Sequence, residues 1–349
     1  MSILVLIRLL SSINIVNLWT VGHRPLRLYR SIDVVRSVAV TATHYENKYC
    51  HYRNDTPKGV SKILKPITFP NLNLEFNINP VAFNLFGKDI YWYGVIIMLG
   101  IILAVYIAYT RLKKMPDVEK YSSKLSWDAF TDFLLVALPV GVIGARLYYC
   151  AFKWDYYGSH LTDIFKIWEG GLAIYGGIIG GVLVGIIFCK MKKIPIPEMG
   201  DFCMPLLALC QSIGRWGNFI NREAHGTITD TFLKMGIYNN ETNAYEYVHP
   251  TFLYESICTL IIFIVLSIIY KKRKFVGQVF YLYPILYGIS RYFIEGLRTD
   301  SLYIGNTSIR VSQALSLVLV LIFSIIYIFR RNNIRAKLIK ILRDNRNVE

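Results

Sequence analysis

Residues 214–226 read Gly214-Arg215-Trp216-Gly217-Asn218-Phe219-Ile220-Asn221-Arg222-Glu223-Ala224-His225-Gly226, and they decide the fold, because here an apolar segment of membrane-helix length ends in a polar cluster. An arginine at membrane depth costs at least about 2.5 kcal/mol, so a chain that keeps one there usually binds an anion with it. On a helix, Gln211, Arg215 and Asn218 lie at i, i+4 and i+7 and share one face. We interpret this face as the floor of a site.

The composition around this stretch is that of a polytopic membrane protein. The chain has 349 residues, of which 54% are hydrophobic, and its mean hydropathy is +0.39. The formal charge of +16 could suggest nucleic acid, but the basic residues stand directly after apolar segments. Anionic lipid and membrane topology explain that placement, so no nucleic-acid partner is predicted.

The cysteines form no CxxC pair, and five of the six lie within apolar segments, so neither a disulfide framework nor a zinc site is indicated. No metal and no cofactor are predicted. The six are Cys50, Cys150, Cys189, Cys203, Cys210 and Cys258.

From Tyr91 onward, apolar blocks long enough to cross a membrane repeat along the chain. A hydrocarbon core about 30 Å thick needs about 20 helical residues. The pattern predicts an all-α membrane protein with seven transmembrane helices and a small extracytoplasmic cap. The predicted helices are residues 91–111, 127–151, 170–189, 201–220, 251–270, 277–297 and 310–329.

Three regions follow from these blocks. Residues 1–65 are predicted to be a poorly ordered extension or to result from an incorrectly assigned start. A signal peptide is a further alternative, but Arg8 interrupts the apolar stretch that it would need. Residues 75–332 form the transmembrane domain, with the cap at 221–249, and residues 333–349 form a basic cytoplasmic tail.

The orientation follows from the basic loops, since Lys and Arg accumulate on the cytoplasmic side. Basic runs follow each odd-numbered helix, at residues 111–124, 190–193, 271–274 and 330–335. Every odd helix therefore ends inside, and the unusual polar residues of different helices fall together at the outer leaflet. These residues are Tyr93, Arg146, Tyr175, Arg215, Asn218, His249, Glu255, Arg291, Glu295 and Arg298.

Several arginines at the depth of phospholipid phosphates suit bidentate phosphate recognition. Arg291 and Glu295 share a helix face, and an ion pair between them is an alternative role for Glu295. That pair would leave Arg215 and Arg146 without an obvious partner.

Glycines indicate where helices pack closely. The pairs Gly176/Gly180 and Gly177/Gly181 have the spacing of small-residue helix contacts, and ordinary packing is the interpretation favoured for the second pair. Gly170, Gly171 and Gly176 could instead let a lipid headgroup approach the backbone around Tyr175. Gly214 and Gly217 are also expected to admit close neighbours.

These motifs resemble those of the prolipoprotein diacylglyceryl transferase family over about residues 75–330. The resemblance rests first on 214–223 with Gly226. The supporting motifs are Trp92-Tyr93-Gly94, Gly144-Ala145-Arg146, the glycine-rich residues 170–177, His249-Pro250-Thr251-Phe252-Leu253-Tyr254-Glu255, and residues 287–298. Residues before 65 have no counterpart in the family pattern.

The resemblance implies a reaction in the bacterial plasma membrane, with the active site facing the outer leaflet. The diacylglyceryl group of phosphatidylglycerol is transferred to the lipobox cysteine of a preprolipoprotein signal peptide, which forms a thioether and releases glycerol phosphate. The implied partners are therefore phosphatidylglycerol, preprolipoprotein signal peptides and the membrane, without a cofactor.

The resemblance also implies roles for residues at the matching positions. Arg215 and Arg291 are the expected catalytic phosphate donors, and Tyr175 stands where some members have a histidine proposed as the base. A phenol is a weak base near neutral pH, so His225, Glu223 and Tyr93 remain alternatives. The expected substrate-binding residues are Tyr93, Arg146, Asn218, Glu223, Gly226, Glu295 and Arg298.

Two other classes of function fit the sequence less well. A lipid transporter or flippase should show paired repeats with broken helices near the midplane, which this chain lacks. An intramembrane serine protease needs a serine nucleophile beside a histidine, but Ser212 and Ser290 lack a GxSG-like setting.

Overall fold

The computed structural model describes residues 65–346 apart from 86, 114–124, 168–169, 241, 302 and 305–306. The predicted N-terminal extension therefore lies, except for Lys65, outside the described residues. The described part is mostly helical, and none of its five cysteines is in a disulfide.

Seven helices of 19 or more residues dominate the described part of the chain. They are α1 (Trp92–Lys113), α2 (Trp127–Phe152), α3 (Ile174–Lys192), α4 (Ile196–Asn221), α5 (Thr251–Lys271), α6 (Gln278–Leu297) and α7 (Val311–Arg346). By length and composition, α1, α2, α3, α5 and the first 24 residues of α7 can cross a membrane. The prediction of a mostly helical, multi-pass membrane protein is confirmed at this level.

Two helix starts differ from the predicted blocks for identifiable reasons. The third block was expected to begin at Gly170, but α3 begins at Ile174 because Gly170 and Gly171 have φ of 92° and 70°. Such left-handed conformations suit glycine and cannot continue an α-helix. The fourth block was expected to begin at 201, whereas α4 begins after Pro195, at Ile196.

The all-α prediction missed six strands in the described residues. They are β1 (Ile67–Phe69), β2 (Leu74–Phe76), β3 (Val81–Leu85), β4 (Lys88–Tyr91), β5 (Met235–Asn239) and β6 (Ala244–Val248). β3 and β4 form an antiparallel hairpin that leads into α1, and the other strands form an antiparallel sheet in the order β2-β1-β5-β6. With only three to five residues each, these strands are too short for a clear alternating pattern.

The four-stranded sheet buries its own apolar cluster against α4 and α5. Ile67 and Phe69 of β1 are 1% and 6% exposed and pack with Phe219 of α4 and Phe252 of α5. The guanidinium of Arg222 donates to the carbonyls of Lys65 and Ile78, at 3.3 and 3.2 Å. These contacts hold residues 65–78 against the helices. Most of these residues precede the predicted domain start at 75.

We expect deletion of residues 2–60 to leave the expected transferase activity within a few-fold of the full chain, because these residues have no counterpart in the family pattern that the sequence resembles and offer little apolar surface to bury. Deletion of residues 2–78 should instead abolish activity, since removing a large buried side chain such as Phe69 costs about 3–5 kcal/mol. Transfer assays at matched membrane abundance compare the two. Loss of activity in a shorter truncation that still inserts normally would make the extension part of the enzyme.

The helices pack both with their neighbours in the sequence and with helices farther along the chain. α2 lies along α3, α4 contacts α1 and α5, and α7 lies along α6. A Cβ on Gly176 would overlap the carbonyl of Gly144, and a Cβ on Gly180 would lie 2.9 Å from the carbonyl oxygen of Val140. The predicted close contact of Gly176/Gly180 is confirmed. The packing interpretation of Gly177/Gly181 is wrong for Gly181, because a Cβ there meets nothing within 4 Å.

A buried carboxylate joins α4 to the start of α6. Asp201 is 0% exposed, and its two oxygens accept the backbone N–H groups of Gly277, Val279 and Phe280 at 2.7–2.8 Å. These donors have no partner within a helix, so Asp201 acts as the N-terminal cap of α6 from another helix. The opposite ends of α4 and α6 meet at the candidate site.

Candidate active site

Four charged side chains from three helices meet at one place, and we call them the arginine–carboxylate cluster: Arg215 of α4, Glu255 of α5, and Arg291 and Glu295 of α6. Oε1 of Glu255 accepts from Nη2 of Arg215, and Oε2 accepts from Nη1 of Arg291 at 3.0 Å. Nη2 of Arg291 also forms an ion pair with Oε2 of Glu295 at 2.5 Å. The expected Arg291–Glu295 pair is therefore present, but Arg215 also has a partner, contrary to the sequence interpretation.

In this cluster the arginine side chains are partly exposed, whereas the carboxylates are buried. The side chains of Glu255 and Glu295 are each 2% exposed, whereas those of Arg215 and Arg291 are 21% and 17% exposed. Buried charges require partners, and each carboxylate here has a guanidinium. The guanidiniums are thus the accessible part of the cluster and can bind an anion.

Tyrosines of α6 complete the polar lining behind the cluster. The hydroxyl of Tyr283 donates to Oε1 of Gln211 at 2.8 Å, and that of Tyr287 donates to Glu255 at 3.3 Å. The two rings stack with their centroids 5.8 Å apart. The predicted polar face of α4 therefore does contact other helices through Gln211 and Arg215.

A chain of amide contacts extends from Arg215 beyond the end of α4. Nη1 of Arg215 lies 3.4 Å from Oδ1 of Asn218, and Nδ2 of Asn218 donates to Oε1 of Glu223 at 2.9 Å. Nδ2 of Asn221 donates to the same oxygen at 3.2 Å. Two amides thus orient the Glu223 carboxylate beside the cluster.

The ring of Tyr93 packs against α4 at Gly217, because a glycine there leaves room for it. A Cβ on Gly217 would overlap the ring of Tyr93, so the close neighbour predicted at Gly217 is confirmed. The same prediction for Gly214 is wrong, because a Cβ there meets nothing within 4 Å.

Arg298 and Gly226 lie where the loop after α4 meets the end of α6. Gly226 forms an antiparallel bridge with Arg298, and its N–H donates to the carbonyl of His249 at 2.9 Å. Arg298 binds Asp300 through two hydrogen bonds, at 2.8 and 2.5 Å. Burial opposes ionisation of Asp300, but hydrogen bonding to Arg298 prevails and holds its pKa below the usual range. Glu295 forms its ion pair with Arg291.

Arg146 is placed differently from the other arginines. It is 4% exposed, and its guanidinium donates to four backbone carbonyls of the segment between α2 and α3. Those carbonyls belong to Asp163, Ile164, Gly170 and Gly171, at 2.6–3.1 Å. No contact within the described residues joins Arg146 to the cluster. These contacts support a structural role instead of the expected substrate-binding role.

The candidate bases differ in what surrounds them. Tyr175 is 41% exposed, its ring packs on Tyr148, and its hydroxyl makes no hydrogen bond in the described part of the chain. Nδ1 of His225 lies 3.2 Å from the carbonyl of Gly226. His249, which is not one of the candidate bases, lies 3.4 Å from the hydroxyl of Tyr254, and burial lowers the pKa of its imidazole.

Glu255 is the site residue whose role the sequence analysis missed. It was recognised only as one of the polar residues at the predicted depth, although it binds both arginines. The available signal was its position in the first turns of an otherwise apolar helix, where an unpaired carboxylate would be costly. Within the described residues, no group of three or more His, Cys, Asp or Glu could hold a metal ion.

Similarity to known proteins extends over most of the chain. Residues 80–329 match the prolipoprotein diacylglyceryl transferase family. The chain is similar to the phosphatidylglycerol–prolipoprotein diacylglyceryl transferase of Finegoldia magna, with 48% identity over 69% of this chain and 91% of that protein. It is 44% identical to the enzyme of the same name from Clostridium novyi, over 74% of this chain and 98% of that one. The Staphylococcus epidermidis enzyme is also 44% identical, over 75% and 92%.

Proposed function

The chain belongs to the prolipoprotein diacylglyceryl transferase family, and from that premise we propose that its arginine–carboxylate cluster binds the phosphate of phosphatidylglycerol during attack by a lipobox cysteine. The enzyme transfers the diacylglyceryl group from phosphatidylglycerol to a prolipoprotein in lipoprotein maturation. The observation that carries the proposed site is the pairing of Arg215 and Arg291, from different helices, through one carboxylate.

The chemistry needs cations at the phosphate. The cysteine thiol gives its proton to a base, and the thiolate forms a bond to the glyceryl carbon. The bond from that carbon to the phosphate ester oxygen breaks, and glycerol phosphate leaves with the electron pair. Charge develops on the departing phosphate, so preorganised donors directed at it lower the barrier. Arg215 and Arg291 are the proposed donors.

The other site residues surround these donors. Glu295 holds Arg291 by an ion pair at 2.5 Å, and Asn218 links Arg215 to Glu223. We propose that Tyr93, Asn218 and Glu223 contact the headgroup, and that Gly226 and Arg298 shape the edge of the site. Tyr175 remains the proposed proton acceptor because of its position in the matching motif; the residue is 41% exposed, and its hydroxyl makes no hydrogen bond in the described part of the chain.

Seven membrane spans are proposed although α4 and α6 are too polar to qualify by hydropathy. Thr68 of β1 pairs with Gly236 of β5, so both strands must lie on one side of the membrane. The chain between them contains α1, α2, α3 and α4, and an even number of crossings is required. Since α1, α2 and α3 are candidate spans, the sheet supports a crossing by α4 as well.

The same parity argument applies to α6. The N–H of Thr227 donates to the carbonyl of Leu297 at 2.8 Å, which puts the ends of α4 and α6 on one side. In the described part of the chain, the long helices between these residues are α5 and α6, and α5 is a candidate span. This contact therefore supports a crossing by α6, and we propose that the four-stranded sheet and the cluster share one face of the membrane. The basic loops favour the outer face of the plasma membrane.

We expect a single cysteine at Asp230, whose side chain is 98% exposed, to react with an impermeant thiol reagent added outside intact cells. A single cysteine at Lys272, in the predicted cytoplasmic loop, should react only after permeabilisation. Both variants are made in a cysteine-free background that retains activity. The reverse labelling pattern would contradict the proposed orientation.

The decisive test of function uses purified protein, labelled phosphatidylglycerol and a lipobox peptide. We expect a peptide mass increase equal to one diacylglyceryl group and the release of glycerol phosphate. A peptide with serine in place of the cysteine is the matched control and should stay unmodified. Absence of the modified peptide with folded, membrane-inserted protein would refute the proposal.

A further inference from the structure

We propose that Glu255 is a positioning residue that sets the spacing of Arg215 and Arg291 for a single phosphate group, and thereby sets the affinity for the phospholipid and not for the peptide. This inference rests on the proposed phosphate site. It assigns to Glu255 a role that acts through the two arginines.

The first argument is geometric. The two guanidiniums belong to α4 and α6, and each binds a different oxygen of the same carboxylate. Their separation is therefore fixed by one carboxylate group. A phosphodiester also offers two oxygens on one central atom, so cations paired in this way are spaced for it.

The second argument concerns charge. Two adjacent guanidiniums repel each other strongly in a site of low dielectric constant. Glu255 counters this repulsion directly, and Glu295 adds a second negative charge on the side of Arg291. The four side chains cancel in charge, so the arginines can stay together before the phospholipid arrives.

The third argument is access. Glu255 is 1% exposed and accepts from Tyr287 as well as from both arginines, so its oxygens are occupied and out of reach of a substrate. A guanidinium has five N–H groups, and the described contacts of each arginine use two of them. The remaining donors, on partly exposed side chains, are available to a phosphate.

Glu255→Gln tests this role because it keeps the side-chain volume and removes the charge. One of its two polar atoms becomes an N–H donor that faces a guanidinium. We expect the KM for phosphatidylglycerol to rise at least about tenfold, as is usual when a charged hydrogen bond is lost. The KM for the lipobox peptide should stay within about twofold, and inhibition by added glycerol phosphate should weaken in parallel.

Glu255→Asp keeps the charge but is shorter by one methylene, so it should bind one arginine at most. We expect Glu255→Asp to raise the KM for phosphatidylglycerol without changing the KM for the peptide. This variant provides the test if Glu255→Gln fails to fold. In a background of Arg291→Lys, the further effect of Glu255→Gln should be much smaller than in the wild-type chain, because positioning requires the arginine fork.

Asp201→Asn is the matched control, since Asp201 is another buried carboxylate that joins α6 to another helix. It should lower thermal stability and leave the KM for phosphatidylglycerol unchanged. If stable Glu255 variants also leave that KM unchanged, the positioning role is refuted. If Arg215→Lys and Arg291→Lys keep normal turnover, the proposed phosphate site itself fails, which is a separate outcome.

Discussion

Arg215→Lys and Arg291→Lys are each expected to lower turnover by about 100-fold or more, the usual effect of removing one preorganised transition-state donor. Lysine keeps the positive charge but has no planar fork, so it cannot bind Glu255 and a phosphate in the same geometry. The loss should appear in kcat and also in the KM for phosphatidylglycerol, because these donors bind the phosphate of the substrate and stabilise it most as the phosphate ester leaves.

The measurement is turnover with phosphatidylglycerol and a lipobox peptide at matched membrane abundance. Arg146→Lys is a useful comparison, because that arginine binds four backbone carbonyls and lies apart from the cluster. It should lose less activity and mainly lower the thermal stability. If the arginines only anchor helices to headgroups, both lysine variants of the cluster will turn over at nearly the wild-type rate.

Gly226→Ala is expected to lower both the transfer rate and the thermal stability. An added Cβ would lie 2.6 Å from Cβ of His249 and 2.9 Å from the carbonyl oxygen of Leu297, so backbone must move to admit it. Overpacking of this kind costs about 1–3 kcal/mol. Because Gly226 pairs with Arg298, the displacement reaches the end of α6 and the site beside it.

Gly214→Ala provides the control within the same motif. A Cβ at Gly214 meets nothing within 4 Å, so this variant should keep both activity and stability. Transfer rate and thermal unfolding of both variants give the comparison. An equal loss of transfer rate and stability in both variants would contradict the explanation by packing at Gly226.

The helices were predictable because each is a long apolar block, whereas their exact starts depend on local backbone conformation. α3 begins four residues late because Gly170 and Gly171 adopt left-handed conformations, which a hydropathy pattern cannot reveal. The strands were missed because β1 has three residues and its partner β5 lies far along the chain. Three residues are too few for an alternating pattern of apolar and polar side chains to be recognised.

The site was predictable in part for a similar reason. Arginines at membrane depth stand out in a sequence, so Arg215 and Arg291 were found, but their sharing of Glu255 is a contact between three helices. Arg146 has the same apparent depth, and only the structure reveals that its donors bind a neighbouring loop. Sequence thus identifies charged residues, while their partners depend on tertiary packing.

The pairing of β1 with the strands after α4 has a consequence for biosynthesis. The hydroxyl of Tyr245 donates to the carbonyl of Pro66, 179 residues earlier, so β1 leaves the ribosome long before β5 and β6. Until then Ile67 and Phe69 lack most of their buried partners, and the edge of β1 that later pairs with β5 is open to other chains. The sheet therefore forms late in synthesis. A chain arrested before β5 would expose the apolar side chains and open edge of β1 to chaperones and proteases.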